Sequence, residues 1–186
     1  ERGAAGSTNA YVIPSTQHDR LTAVKMVNTL MLSDVEIQIA ESQFTAGGRL
    51  YDEGSFVVSL AQPKMGLARN LLGQTFYPDN DWTRARDGSP LRPYDSATHT
   101  MAEIMGVQVD PVNGDLGGDL RVLEEPIPVA GTVAQGDRHV LDGRLNDSFR
   151  AANQLLARGA TVQRVHEANG NLKPGDFVVN GSSDDV

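Results

Sequence analysis

The last third of this chain repeats the first third. Three short motifs recur in the same order: Tyr11-Val12-Ile13 returns as His139-Val140-Leu141, Val27-Asn28-Thr29-Leu30 as Ala152-Asn153-Gln154-Leu155, and Gly54-Ser55-Phe56-Val57-Val58 as Gly175-Asp176-Phe177-Val178-Val179. The offset falls from 128 to 125 to 121 residues, so deletions of three and four residues separate the copies. The alternative, generic α/β periodicity, leaves the shared Asn, Gly and Phe-Val-Val positions unexplained. We therefore expect two related supersecondary units.

Each copy has the pattern of a strand, a helix, a strand, a turn and a strand. In the first copy, an apolar strand at residues 11–13 precedes a helix with its apolar face between Leu21 and Met31. Alternation at residues 35–39 predicts a half-buried strand, and residues 56–60 predict a buried one. Further along the chain we expect a helix from Pro63 to Leu72, a short helix at residues 101–105 and a strand at residues 120–123.

Two strands joined by an amphipathic helix usually lie parallel, with a right-handed crossover between them. Two such units predict one doubly wound, mainly parallel sheet with helices on both faces. In such a sheet, ligands bind in a crevice beyond the carboxyl ends of the strands. This places three segments at the expected rim of a crevice: Pro14 to His18, Gln62, and Asp142 to Asp147.

The composition along the chain predicts one domain. We expect a linker or frayed terminus at residues 1–10, a single α/β domain over residues 11–180 with repeat-like units at 11–60 and 139–179, and a tail at residues 181–186. The Pro-rich and Gly-rich stretch at residues 77–94 predicts a long surface loop. Because the chain starts at Glu1 with no signal-peptide pattern, we expect it to be a piece of a longer protein.

Charge and cysteine content exclude several classes of function. There are 16 Lys and Arg residues against 24 Asp and Glu residues, a net charge of −8, which disfavours nucleic acid as a partner. The chain has no cysteine, so disulfides, thiolate metal sites and cysteine nucleophiles are impossible. Lys25, Asn28 and Asp34 interrupt the longest apolar segment, and no membrane span is expected.

The residues that carry catalysis in other proteins form no complete motif here. His99 and Glu103 have helical spacing and would supply half of a zinc site, although a solvated side-chain contact on a short helix is the favoured interpretation of the pair. Serine-nucleophile and phosphate-binding motifs are absent from the sequence. Four aromatic residues bracket the long loop and would either line a peptide or carbohydrate groove or anchor the loop to the core: Phe76, Tyr77, Trp82 and Tyr94.

Several short motifs resemble a known family. They are Tyr11-Val12-Ile13-Pro14 with Gln17 and Asp19, Tyr51 to Val58 with Ala61-Gln62-Pro63, Gln74 to Asp79, Pro93-Tyr94-Asp95 to Met105-Gly106-Val107, and Leu145 to Arg150. Together they resemble the region that follows the catalytic domain in a subfamily of large bacterial zinc carboxypeptidase-like proteins. That resemblance implies a class I glutamine amidotransferase-like fold, which is a flavodoxin-like three-layer α/β sandwich with a mainly parallel sheet.

The resemblance also implies what the chain does. The zinc ligands of that family, an H-x-x-E pair and a distant His, lie in its catalytic domain, and no H-x-x-E occurs here. Amidotransferase chemistry needs a cysteine that the chain lacks. We therefore expect a secreted or periplasmic accessory domain that is not an enzyme, holds no metal or cofactor of its own, and supports domain packing or substrate access for the peptidase domain of its parent protein.

Two other functions stay open. One is a module that binds a peptide or glycan in a crevice at the carboxyl ends of the strands. Its candidate binding residues are Gln17, Gln62, Tyr77, Tyr94 and Asn146. The other is a hydrolase built on His99 or on an unrecognised carboxylate.

Overall fold

The computed structural model describes residues 8–74, 79–92, 100–129 and 133–181. The chain divides into two compact units. Unit 1 comprises residues 1–16 and 26–126, and unit 2 comprises residues 17–25 and 127–186. The first helix therefore begins in unit 2 and continues into unit 1.

The elements predicted along the first two thirds of the chain are all present. The strands are β1 (Ala10–Ile13), β2 (Gln38–Ala40), β3 (Phe44–Ala46), β4 (Arg49–Tyr51), β5 (Phe56–Ser59), β6 (Asp110–Val112) and β7 (Leu120–Val122). The helices are α1 (Arg20–Leu32), α2 (Met65–Leu72) and α3 (Met101–Met105), with a 3₁₀ turn at Asp81–Thr83. Gly106 ends α3 in the left-handed conformation, with φ of 66°, as a glycine at a helix C-terminus is expected to do.

Unit 1 is built on a five-stranded sheet in the order β6-β1-β5-β2-β7, in which every pair of neighbours is antiparallel. The strands β3 and β4 form a separate hairpin. Side chains from the sheet and the hairpin share one core, because both present alternate apolar residues to it. The buried members of this core are Ala10, Val12, Ala40, Phe44, Ala46, Tyr51, Val57 and Val112.

Unit 2 has a smaller sheet. Its elements are β8 (Arg138–Leu141), α4 (Asn146–Ala157), β9 (Val162–Arg164) and β10 (Phe177–Asn180), and the strand order is β8-β10-β9 with antiparallel neighbours. Phe149 of α4 meets Phe177 of β10 edge to face, with the ring centroids 5.1 Å apart. This geometry is favoured for aromatic pairs, and it fixes the helix against the sheet.

The two copies of the repeat share topology and individual hydrogen bonds. β1, α1, β2 and β5 correspond to β8, α4, β9 and β10, and the last strand lies between the other two in both copies. The N–H of Gly54 donates to Ala40 O, and the N–H of Gly175 donates to Val165 O, both at 2.8 Å. The reciprocal bonds, from Ala40 N–H to Ser55 O and from Val165 N–H to Asp176 O, are both 2.9 Å.

The predicted fold class is wrong. A mainly parallel, flavodoxin-like or class I glutamine amidotransferase-like sandwich needs most neighbouring strands of its sheet to be parallel, whereas every neighbouring pair here is antiparallel. β1 and β2 do run in the same direction, but β5 lies between them and is antiparallel to both. The hydrophobic pattern identified the helices and the strands of the repeat, but it missed β3, β4 and β6. It did not reveal that β5, arriving from a tight turn, inserts between the two helix-linked strands.

Length and hydropathy also bear on membrane insertion. Within the described part of the chain, no helix combines the length and apolar character that crossing a bilayer requires.

Candidate functional site

The antiparallel sheet removes the basis for a crevice at one shared carboxyl edge. β1 and β5 run in opposite directions, so Pro14 after β1 and Gln62 after β5 lie at opposite ends of this strand pair. Gln62 has a local role instead. Its side-chain amide donates to Glu36 O at 2.9 Å and to Ser59 O at 2.7 Å, and its Oε1 accepts the N–H of Glu36 at 2.8 Å. These bonds tie the end of β5 to the segment that leads into β2.

The other predicted binding residues belong to unit 2 or lie outside the described residues. Gln17 and Asn146 belong to unit 2, whereas Gln62 belongs to unit 1. Gln17 is half-buried and Asn146 is exposed. Tyr77, Tyr94 and His99 lie outside the described residues.

Asp19 of unit 2 accepts hydrogen bonds at the N-termini of two helices. Its Oδ1 accepts the N–H of Thr22 at 3.0 Å in the first turn of α1, and its Oδ2 accepts the N–H of Asn146 at 3.0 Å at the start of α4. The Asn146 side chain adds a bond to Thr22 Oγ1 at 3.0 Å. Burial opposes ionisation of Asp19, but these N–H donors outweigh it and lower the pKa of the carboxyl group.

A second carboxylate cluster of unit 2 stabilises the turns next to β8 and β10. Oδ2 of Asp176 accepts the N–H of Lys173 at 2.8 Å, and Oδ1 accepts the N–H of Gly143 at 3.1 Å. These two bonds lower the pKa of Asp176. Asp142 receives side-chain and backbone hydrogen bonds from Arg144, which also lower its pKa. Both carboxylates are thus engaged by their own turns.

Unit 1 contains an open polar pocket with a volume of about 160 Å³, which we call the Arg49 pocket. It lies between the segment after β1 and the hairpin strand β4. The lining residues are Pro14, Ser15, Thr16, Arg49, Leu50, Tyr51, Asp52 and Gln108. The predicted rim therefore coincides with the pocket at residues 14–16 only.

Asp110 organises one wall of the Arg49 pocket. Its Oδ2 accepts a hydrogen bond from Arg49 Nη1 at 2.6 Å and one from the Tyr51 hydroxyl at 3.2 Å, and its Oδ1 accepts from Gln108 Nε2 at 3.1 Å. The Arg49 guanidinium also lies over the Tyr51 ring, 5.4 Å from its centroid. Burial raises the pKa of Tyr51, and the negative charge of Asp110 raises it further. A charged donor is therefore held in one orientation beside an open space.

The second exposed feature of unit 1 is the Trp82 loop, residues 79–92. Asn80 and Thr83 form reciprocal capping bonds around the 3₁₀ turn, and Arg84 binds both oxygens of Asp79 at 2.6 Å. Two main-chain bonds close the loop, from Leu91 N–H to Thr83 O and from Ala85 N–H to Ser89 O, both at 2.8 Å. Trp82 itself is 90% exposed. The alternative that this residue anchors the loop to the core is therefore wrong.

Sequence reasoning missed Arg49 and Asp52 of the pocket, although a signal for them was present. The offset between the repeat copies drops from 125 to 121 between the second strand and the last strand. The first copy therefore has four extra residues in the segment that holds β3, β4 and the pocket. Residues inserted in one copy of a repeat are not required by the fold that both copies share, so they are candidates for a function of their own.

Comparisons with protein-family models, with curated protein sequences and with solved structures found no match for this chain. The chain's function therefore has to be inferred from the Arg49 pocket and the Trp82 loop of unit 1 and from the carboxylates Asp19 and Asp176 of unit 2.

Proposed function

We propose that this chain is a non-catalytic accessory module of a secreted or periplasmic zinc carboxypeptidase-like protein, where it supports domain packing or substrate access in proteolysis. The observation that carries the proposal is the presentation of Trp82, nearly fully exposed, on an ordered loop. The family and the location come from the resemblance of the sequence motifs. The role as a packing module is supported by the geometry of the Trp82 loop.

Trp82 is suited to docking because a partner that covers its side chain gains the free energy of removing that side chain from water. A buried tryptophan removes roughly 150–250 Å² from water, and at about 25 cal/mol per Å² this amounts to several kcal/mol. The capping bonds and the Arg84–Asp79 pair already hold the loop. Little conformational entropy is then lost on binding, which is the usual basis of a preorganised contact. Tryptophan and arginine are also the residues most enriched at interface hot spots.

The titratable groups favour a structural role over catalysis. Four described carboxyl groups have a lowered pKa: Asp19, Asp87, Asp142 and Asp176. In each case the hydrogen bonds that lower the pKa come from a helix start or a turn that the carboxylate stabilises. A general acid would instead need a pKa raised toward the working pH. These carboxylates therefore favour a scaffold.

Trp82 provides its own probe, because it is the only tryptophan in the chain. In the isolated chain we expect the red-shifted fluorescence of a water-exposed indole and free quenching by acrylamide. In the complete gene product that carries this chain, Trp82 should be shielded, so the difference spectrum between wild type and Trp82→Phe should be blue-shifted and weakly quenched. Trp82→Ala should also make the junction between the domains more sensitive to protease.

The matched control is Ile104→Ala, which removes another exposed apolar side chain of unit 1, one that is 70% exposed. It should leave quenching and protease sensitivity unchanged. Equal quenching of Trp82 in the isolated chain and in the complete protein would contradict the docking role. One tightly bound zinc in the isolated chain, together with release of C-terminal amino acids from peptides, would contradict the non-catalytic role.

The Arg49 pocket favours a second candidate function, a peptide- or glycan-binding module. The site would be this pocket in unit 1 and not a crevice shared by the strand ends. Binding to the folded state would raise the thermal stability of the chain, and the rise would grow with the logarithm of ligand concentration above the dissociation constant. A thermal-shift screen with peptides and cell-wall saccharides tests this function, and a screen without any stabilising ligand would reject it.

A further inference from the structure

On the basis of the binding function proposed above, we infer that the Arg49 pocket binds an uncharged, polyhydroxylated ligand, namely one saccharide ring that presents two adjacent hydroxyl groups to Arg49 and Asp52. The inference is carried by the presence of a fixed cationic donor and a carboxylate acceptor in the lining of one small pocket.

Arg49 is preorganised as a donor. Asp110 binds Nη1 at 2.6 Å and the Tyr51 ring lies under the guanidinium, so the side chain is held from two directions. A guanidinium carries several further N–H donors in a rigid fork. Among the described residues none of these donors has another acceptor, and the Arg49 side chain is 56% exposed at the pocket.

Asp52 supplies acceptors three residues from Arg49 in the chain, and both residues line the pocket. One of its oxygens accepts the Gln43 amide at 2.8 Å. An ionised carboxylate has about four lone-pair sites, so capacity for further bonds remains. A hydroxyl group both donates and accepts. Two adjacent hydroxyls can therefore donate to Asp52 while they accept from Arg49, an arrangement that a lone carboxylate or ammonium ligand cannot reproduce.

Charge at the pocket selects against ions. Arg49 contributes one positive charge, and Asp110 and Asp52 contribute two negative charges, so the local balance is −1, in a chain of net charge −8. An anion would compete with Asp110 for Arg49 and would be repelled by Asp52. A cation drawn to Asp52 would meet the guanidinium. A neutral ligand avoids both penalties.

The volume of the pocket sets the size of the ligand. Its 160 Å³ corresponds to about five waters at roughly 30 Å³ each, which is room for one edge of a single ring. So few contacts predict millimolar dissociation constants for a monosaccharide.

The two repeat copies support a specialised role for this segment. Arg49 lies on the hairpin of β3 and β4, and the shorter second copy has only the single bridge between Asn169 and Leu172 at the corresponding place. Asp52 corresponds to Lys173, by the offset of 121 residues, so the acceptor is replaced by a cation. The donor and acceptor pair therefore belongs to the first copy alone.

The test is protein NMR on the full ¹⁵N-labelled chain. The probes are the methyl glycosides of mannose, galactose and glucose, used at up to about 50 mM because the expected affinity is millimolar. Three further probes distinguish ligand classes: tetrahydropyran-2-methanol, which has the ring without adjacent hydroxyls, sodium acetate, and the capped peptide acetyl-Gly-Gly-amide. We expect at least one glycoside to shift the amide signals of residues 15, 16, 49–52 and 108, and we expect tetrahydropyran-2-methanol to leave them unchanged.

Arg49→Gln and Asp52→Asn should each weaken glycoside binding at least tenfold. Glu53→Gln removes a charge from the next position, which is exposed and does not line the pocket, and should bind as the wild type does. Shifts from acetate alone, shifts from every probe alike, or no shifts with any glycoside would each overturn the inference. Binding of the peptide without any glycoside would also overturn it while leaving the binding function proposed above in place.

Discussion

The main-chain N–H of Gly143 donates a hydrogen bond to Oδ1 of Asp176, 33 residues further along the chain, at 3.1 Å. The first copy of the repeat contains the same connection, because the N–H of Ser15 donates to Ser55 Oγ at 3.0 Å. In both copies, the loop that follows the first strand is therefore tied to the turn that precedes the last strand. The connection brings the two segments so close that position 143 has no room for a side chain larger than that of glycine.

Gly143→Ala should destabilise unit 2. A Cβ atom at this position would lie 1.9 Å from Gly175 O, and the main chain would have to move. We expect a loss of about 1–3 kcal/mol or more in unfolding free energy, as for other overpacked sites. Urea denaturation followed by circular dichroism measures it. The control is Gly66→Ala in α2, where no described atom beyond the neighbouring helix backbone lies within 4 Å of the new Cβ, and stability should be unchanged or higher by up to about 1 kcal/mol.

Asp176→Asn should make unfolding less dependent on pH in the acid range. The N–H groups of Lys173 and Gly143 lower the pKa of Asp176 in the folded state below its unfolded value of about 3.9. The carboxylate therefore stabilises the fold above pH 4, and this contribution is lost as the pH falls through the folded pKa.

Chemical denaturation between pH 7 and pH 2.5 tests this dependence. Wild type should be more stable than Asp176→Asn at pH 7, and the difference should shrink below pH 4. Asp115→Asn changes an exposed side chain with no hydrogen-bond partner among residues 8–74, 79–92, 100–129 and 133–181, and should not show this narrowing. A constant difference between wild type and Asp176→Asn across the whole range would refute the role of the charge.

Much of the element order could be predicted from the sequence, because hydrophobic periodicity reports which residues are buried. The strand before α1, the buried strand Phe56–Ser59 and the strand Leu120–Val122 lie where the pattern indicated. Strand pairing could not be predicted in the same way. Burial of Val57 and Val58 is satisfied equally by a parallel or an antiparallel neighbour, so the pattern does not identify which strand lies beside β5.

The candidate site was less predictable. Polar residues at strand ends were selected on the premise of a parallel sheet, and Gln62 and Asn146 instead form hydrogen bonds that stabilise the fold, with Glu36 and with Asp19 respectively. Arg49 and Asp110 are 61 residues apart in sequence and meet only because β6 pairs with β1 and the hairpin of β3 and β4 shares their core. Contacts of this kind depend on tertiary structure, and no local sequence motif predicts them.

Asp19→Ala should destabilise the starts of both α1 and α4. It removes an N-cap and leaves the N–H groups of Thr22 and Asn146 without their acceptor, which should cost about 1–3 kcal/mol. Asp19→Asn keeps one acceptor oxygen, so its unfolding free energy should lie between those of the wild type and Asp19→Ala. Amide hydrogen exchange should become faster at Thr22 and Asn146 in particular. Asp137→Asn, an exposed control in unit 2, should change neither stability nor exchange, and equal effects in the two variants would contradict the capping role.

Asp110→Asn should lower the pKa of Tyr51 without restoring it to the ordinary value of about 10. Burial is the main cause of the raised pKa and persists in the variant, whereas the repulsion between the phenolate and the Asp110 carboxylate is removed. Titration of ¹³C-labelled tyrosine by NMR measures this pKa, and Tyr51→Phe assigns the resonance among the four tyrosines.

In the wild type, the raised folded pKa of Tyr51 stabilises the fold fully below pH 10, and this contribution is lost as the pH rises through the folded value. Asp119→Asn, an exposed carboxylate outside the pocket lining, should leave the Tyr51 titration unchanged. If Asp110→Asn left it unchanged too, Asp110 would not hold the Arg49 wall as the geometry indicates.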